Sequence, residues 1–135
     1  MPDKSIFTKI IEGELPSHKI YEDNKTIAFL DINPSVVGQT LVVPKTQIEF
    51  VWDLPDEEYQ TLMDTVKLVA KNLKSKLNTR YVGIKIEGTE VPHAHIKVYP
   101  FNVASEFNAH PSANNEPDHK QLAELALKLK IERNN

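Results

Sequence analysis

Residues 91–100, Val-Pro-His-Ala-His-Ile-Lys-Val-Tyr-Pro, alternate with a period of two. His93, His95, Lys97 and Tyr99 fall on one side, and Ala94, Ile96 and Val98 on the other. That pattern describes a β-strand with an apolar back and a polar, partly cationic front. Such a strand must lay its back on a core, which commits the chain to a sheet with a covered face. Pro92 and Pro100 suit strand boundaries. Side chains on one face of a strand recur about every 6.5–7 Å. Two imidazoles and an ammonium at that spacing suit a group with several oxygens, such as a phosphate.

The rest of the chain supplies partners for this strand. Lys19–Glu22 and Thr26–Leu30 read as a hairpin closed by Asp23-Asn24. Gly38 precedes a third strand, Thr40–Val43, which Pro44 stops; residues 46–52 give no clear pattern. Pro55-Asp56-Glu57-Glu58 opens the clearest helix, with Tyr59, Leu62, Met63, Val66, Ala70, Leu73 and Leu77 at helical spacing. Lys67, Lys71, Lys74 and Lys76 lie toward its C-terminal half, where the helix dipole favours cations. They read as a solvated face, not a nucleic-acid patch. Arg80–Ile86 reads as a strand, and Glu87-Gly88-Thr89 as a turn leading directly into the histidine strand, so these two should be antiparallel neighbours.

At the N-terminal end, Ser5 suits the cap of a short helix through Ile11, ended by Gly13. Its apolar positions are dense, so it must dock or line a pocket. Residues 101–116 form a long irregular stretch, of the kind that is functional or mobile. Asp118 and Gln121 resemble a capping box before Leu122, Leu125, Ala126 and Leu129, a second amphipathic helix, and the tail from Glu132 is expected to fray. The sum is an α+β fold: a five-stranded antiparallel sheet with one long helix and shorter ones packed on one face. Residues 1–135 read as a single domain.

Composition narrows the partners. A net charge of −3 gives no overall pull toward nucleic acid or an anionic membrane, so an anionic ligand must be drawn locally. The chain has no cysteine, which removes disulfides, thiolate chemistry and Cys-ligated metals. Neither a signal peptide nor an apolar run of membrane-spanning length is visible, and the expected location is cytoplasmic.

Four readings of His93, His95 and Lys97 follow from the residues. They are half-exposed polar groups on a sheet, or a His-x-His metal site, or a nucleophilic centre, or a phosphate-binding row that cleaves nothing. A metal site lacks further ligands in step, Lys97 would repel a cation, and His110 and His119 are too distant in sequence to assign. A nucleophilic histidine needs one fixed tautomer, cationic neighbours and a pocket for the leaving group.

The stretch resembles the motif of the histidine triad (HIT) proteins, His-x-His-x-His followed by apolar residues. The resemblance extends over roughly residues 5–101: Ile6–Pro16, Tyr21–Asp23, Ala28–Pro34 and Gly38–Lys45 match successive blocks of that family in order. Residues 102–135 lie beyond it. The resemblance implies a nucleotide-binding α+β fold, usually a homodimer, that acts as a hydrolase or transferase at the α-phosphate of a purine nucleotide conjugate. It implies His95 as nucleophile, His93 as a flanking residue that orders the site, a base pocket of Phe7, Ile10, Phe29 and Ile32, and Asp31 as acceptor of the ribose hydroxyls.

The third histidine of the motif is replaced by Lys97. Lysine keeps positive charge for the phosphate but, at a usual pKa near 10.4, is a poor proton shuttle at neutral pH. Burial beside His95 is one route to a lower value. Where zinc-binding members carry two cysteines and a further histidine, this chain has Ser5, Thr8 and Gln47, so no structural zinc, other metal or cofactor is expected. Ile86, Thr89 and Glu90 stand where many members place Asn, Ser or Gln, and Glu90–His95 resembles a bacterial branch of the family. The leading expectation is a nucleotide phosphohydrolase with a covalent His95–nucleotide intermediate. The alternatives are a nucleotide-binding protein with weak or no hydrolysis and, less favoured, a metal-binding β-protein.

Overall fold

Asp23 closes the first hairpin as its position in the sequence suggests: one carboxylate oxygen accepts from the backbone N–H groups of Lys25 and Thr26, both at 2.8 Å. In a computed structural model, residues 3–111 and 116–132 are described. Five strands form one antiparallel sheet: β1 (Lys19–Glu22), β2 (Thr26–Leu30), β3 (Thr40–Pro44), β4 (Tyr81–Lys85) and β5 (Ile96–Phe101). Their order is β1-β2-β3-β5-β4, with β4 at an edge. Among the described residues four α-helices accompany them: α1 (Ile6–Ile11), α2 (Asp56–Leu77), α3 (Ala104–Phe107) and α4 (His119–Leu129). The expected α+β architecture is therefore present.

The period-two pattern sorts the sheet into two faces. Ala28, Leu30, Val42, Ile96 and Val98 face α2 and α4, where they join Leu62, Val66, Val69, Leu73, Leu122 and Leu129 in the main core. Ile27, Phe29, Leu41 and Val43 point the other way and join Phe7 of α1. The helices thus do not share one face, contrary to the expectation from the sequence. The long and C-terminal helices cover one side and α1 covers part of the other. Ser5 caps α1 by accepting from Thr8 N–H, and Asp118 caps α4 by accepting from Gln121 N–H. Gly38, at φ +90°, is where the chain enters β3. A Cβ there would lie 2.5 Å from Leu77 Cδ1, so both its backbone and its space require glycine.

Two further expectations need correction. The histidine stretch is not one strand from 91 to 100: the ladder of β5 begins at Ile96, opposite Val42 of β3, and Lys97 pairs with Lys85 of β4. Residues 86–95 form a connection longer than a tight turn. The reason is long-range hydrogen bonding. Ala94 N–H donates to Ile48 O at 2.7 Å, which ties this backbone to the segment after β3 instead of to β4, while His93 N–H closes a local turn onto Val91 O at 2.8 Å. The stretch 101–116 is also not wholly irregular. Val103 and Asn102 N–H groups cap on Glu106, and Phe107 of the short helix α3 stacks on Phe101 and packs edge-on against Tyr99. Gly83 of β4 leaves room for that ring; a Cβ there would sit 2.7 Å from it. Most of the tail expected to fray, residues 133–135, lies outside the described residues, as do residues 112–115 of the loop.

Candidate active site

Although His93 and His95 precede the ladder, the alternation still directs both toward α1. The Phe7 ring meets His93 and His95 edge-on at centroid distances of 5.9 and 5.0 Å, and Phe29 at 5.6 Å. Both imidazoles are buried, at 0% and 4% exposure. The reading of His93 as a half-exposed polar group on a sheet does not hold; it is enclosed behind His95.

Hydrogen bonds fix the tautomers. His93 Nε2 lies 2.8 Å from the Pro44 carbonyl, which can only accept, so Nε2 carries the hydrogen. His93 Nδ1 is then bare and accepts from Ser5 Oγ at 2.7 Å. Thr8 Oγ1 donates to Gln47 Oε1 at 2.6 Å, which also takes Ser5 N–H at 2.9 Å, and Gln47 Nε2 donates to Asp3 O at 2.9 Å. His95 Nδ1 lies 2.7 Å from the His93 carbonyl and donates to it. That leaves His95 Nε2 with a free lone pair. Burial first of all holds both histidines below the ordinary 6.5, with the Pro44 and His93 carbonyls pulling partly the other way, so both rings are neutral at pH 7.

Two consequences are measurable. Replacing Ser5 by alanine removes the cap of α1 and leaves the buried His93 Nδ1 without its 2.7 Å donor. A loss of about 1–3 kcal/mol is expected in chemical denaturation, with Ser5→Thr close to the parent. The second concerns pH. Unfolded histidines bind protons below about 6.5 that the native rings resist, so the native state holds fewer protons there and stability falls as pH falls. The melting temperature should drop between pH 6.5 and 5, before the carboxylates titrate. A flat or rising profile in that window would contradict the burial argument.

His95 borders a cavity of about 730 Å³, within the range of small-molecule sites. Phe7, Ile10, Phe29 and Leu41 form its apolar walls; Asp31, Ile32, Lys97 and Glu90 also line it. Every residue expected at the site reaches this cavity except His93, which supports His95 from behind. Phe7 and Phe29 are at once core and wall, whereas Ile32 is largely exposed. Asp31 is pre-set as an acceptor: its two oxygens take Asn33 N–H and Gln39 Nε2–H, each at 2.9 Å. The buried Gln39 is in turn held by Ser35 through its own carbonyl oxygen.

A family model of the HIT domain matches residues 12–102. The chain belongs to the HIT family. It is 42% identical over 102 residues to an uncharacterized HIT-like protein of Borreliella burgdorferi, covering 70% of this chain and 73% of that one. It is 32% identical over 106 residues to the purine nucleoside phosphoramidase of Escherichia coli K12, covering 71% and 86%. Among solved structures, a HIT-like protein of Bartonella henselae described as involved in cell-cycle regulation superposes with a TM-score of 0.82 over 96% of both chains, at 27% identity.

Within this HIT fold, Ser5, Thr8 and Gln47, which stand where the resemblance places zinc ligands, converge beside His93. They do not fit zinc. Hydroxyls and an amide are not the soft, anionic donors that a tetrahedral zinc site uses, and they already bond to one another. The hydrogen-bonded cluster itself ties α1 to the histidines. For Lys97 the route to a lower pKa through burial is not taken. Burial opposes its charge, but the 2.8 Å bond to Glu87 and the charges of Glu90 and Glu87 outweigh that, and its pKa is raised, not lowered. Its proton is firmly held. Sequence reasoning missed Gln39, Glu87 as a partner of Lys97, and His18 and His119, which also line the cavity. A polar residue at a buried strand entrance was the one local signal for Gln39; nothing local marked the others.

Proposed function

We propose that this HIT protein is a nucleotide hydrolase or transferase that cleaves at the α-phosphate of purine nucleotide conjugates, with phosphoramidates as the substrate class. The observation that carries the reading is the state of His95: neutral, its Nδ1 hydrogen committed to the His93 carbonyl, and its ring at the edge of an apolar cavity. The Nε2 lone pair attacks phosphorus, forming an N–P bond, while the bond from phosphorus to the amine breaks and the amine departs with a proton from solvent. Water then attacks the same phosphorus, the bond to Nε2 breaks, a proton returns to solvent, and the nucleoside monophosphate leaves.

The other roles follow. His93 orders the site through its carbonyl. Lys97 supplies fixed positive charge to the phosphate oxygens and not a proton, given its raised pKa. Phe7, Ile10, Phe29 and Ile32 hold the base, and Asp31 accepts the ribose hydroxyls. The chain fits the bacterial-type branch as one domain over 1–135, with Lys97 in the third histidine position. Edge strand β4, with Tyr81 46% and Ile84 38% exposed, suits pairing with a second copy in a homodimer. One observation favours a second reading, nucleotide binding with little turnover: Glu87 already neutralises Lys97.

Calorimetric titration with AMP, together with a hydrolysis assay on adenosine 5′-phosphoramidate, tests the proposal. Saturable AMP binding with release of AMP from the amide is expected. Binding without release would favour the second reading, and neither would overturn both.

A further inference from the structure

The charges around His95 limit how much negative charge the site can accept. Among the described residues, Lys97 is the one lysine or arginine that lines the cavity. Glu87, on the connection between β4 and β5, already holds its Nζ at 2.8 Å. Glu90, on the same connection, lines the cavity beside His95 and Lys97, and no direct ion pair engages it among the described residues. Its charge reaches both His95 and Lys97. Lys85 pairs with Lys97 across the sheet, but it is committed elsewhere. Its Nζ donates to the Phe107 carbonyl at 2.8 Å and lies over the rings of Tyr99 and Phe107, 4.7 and 4.8 Å from their centroids.

A shallow crevice that also reaches His95 has the same character. Glu49, Phe50, Trp52 and Glu87 line it, and no lysine or arginine does among the described residues. Phe50 is 44% and Trp52 67% exposed there. The surroundings of His95 are thus apolar and anionic apart from Lys97. With His95 neutral, one ammonium and two carboxylates leave one negative charge beside the reacting position. A nucleoside phosphoramidate brings a single negative charge at its phosphorus, which Lys97 is placed to meet. Every further phosphate adds charge with no second cation to answer it. Sites that hold phosphate chains answer them with several cationic side chains or metal ions.

We infer that Glu87 and Glu90 make this site select against leaving groups that carry phosphate, so that it takes nucleoside phosphoramidates and rejects dinucleoside polyphosphates. This rests on the nucleotide reading of the cavity. Specificity arises from repulsion built against the wrong ligand as well as from contact with the right one. Neither carboxylate has to touch a reacting atom. Glu90 repels the additional phosphates, and Glu87 leaves Lys97 enough charge for one phosphate and not for a chain. The apolar crevice beside them suits the carbon skeleton of an amine. Both carboxylates are exposed, so solvent moderates the repulsion to about tenfold in affinity.

The test is titration of AMP and ATP, without divalent cations, into the parent and the double variant Glu87→Gln/Glu90→Gln. The β- and γ-phosphates of ATP extend from the α-phosphate as a leaving group does, and no turnover is needed. The parent should bind AMP about tenfold more tightly than ATP, and the gap should shrink as salt rises from about 0.05 to about 0.5 M. That salt dependence is read without any substitution. In the double variant the gap should close to within about threefold through tighter ATP binding. A purely structural role of the two residues would move both affinities together. A parent that binds ATP as tightly as AMP, or a double variant with an unchanged gap or a common shift, would overturn the inference and leave the nucleotide reading standing. A parent that binds neither nucleotide would overturn both.

Discussion

His95→Ala is expected to lower turnover of adenosine 5′-phosphoramidate by about 10⁴-fold or more while AMP affinity changes by less than about threefold. The size of the effect follows from the lack of a substitute. His93 has both ring nitrogens engaged, one with the Pro44 carbonyl and one with Ser5, and does not reach the cavity. Lys97 is protonated and paired with Glu87, so it has no lone pair to offer. The apolar walls that would hold the base do not depend on the imidazole. A variant retaining turnover within tenfold of the parent would remove His95 as the nucleophile.

Phe7→Ala should have the largest effect on stability. Phe7 is the residue by which α1 enters the second core cluster, between Phe29, Leu41 and Val43, and its ring meets three others edge-on. Truncating a buried phenylalanine typically costs about 3–5 kcal/mol. A loss of about 3 kcal/mol is expected here, since the cavity already opens on one side, with a fall in melting temperature of roughly 10 °C. AMP affinity should fall as well. Ile10→Ala, at a half-buried position on the same helix, should cost about 1 kcal/mol. A Phe7→Ala loss below about 1 kcal/mol in urea denaturation would mean that α1 is not anchored as described.

Much of this architecture was legible because it is encoded locally. Residues 26–30 and 40–44 form a hairpin pair whose alternate side chains feed two different cores, and caps at Ser5 and Asp118 act within their own helix turns. What escaped depends on contacts distant in sequence. The start of β5 at Ile96 is set by Ala94 bonding to Ile48, and the burial of His93 by Ser5 and Pro44. The helix α3 is held by Phe107 docking over Gly83 and Lys85. Of the expected site residues, Phe7, Phe29 and Asp31 lay in matching blocks, but their shared cavity required α1 to cross to the opposite face from α2. Lys97 shows the limit most clearly: burial alone lowers a lysine pKa, and only the fold reveals the two carboxylates that reverse it.

The central claim is that bond exchange at phosphorus passes through His95 Nε2. Rapid acid-free quenching of a single turnover of adenosine 5′-phosphoramidate, followed by digestion and mass spectrometry, tests it most directly. The account predicts a transient adenylyl group on the peptide carrying His95, formed before AMP appears and absent from His95→Ala. Full turnover with no such adduct at any time, or an adduct on another residue, would contradict it.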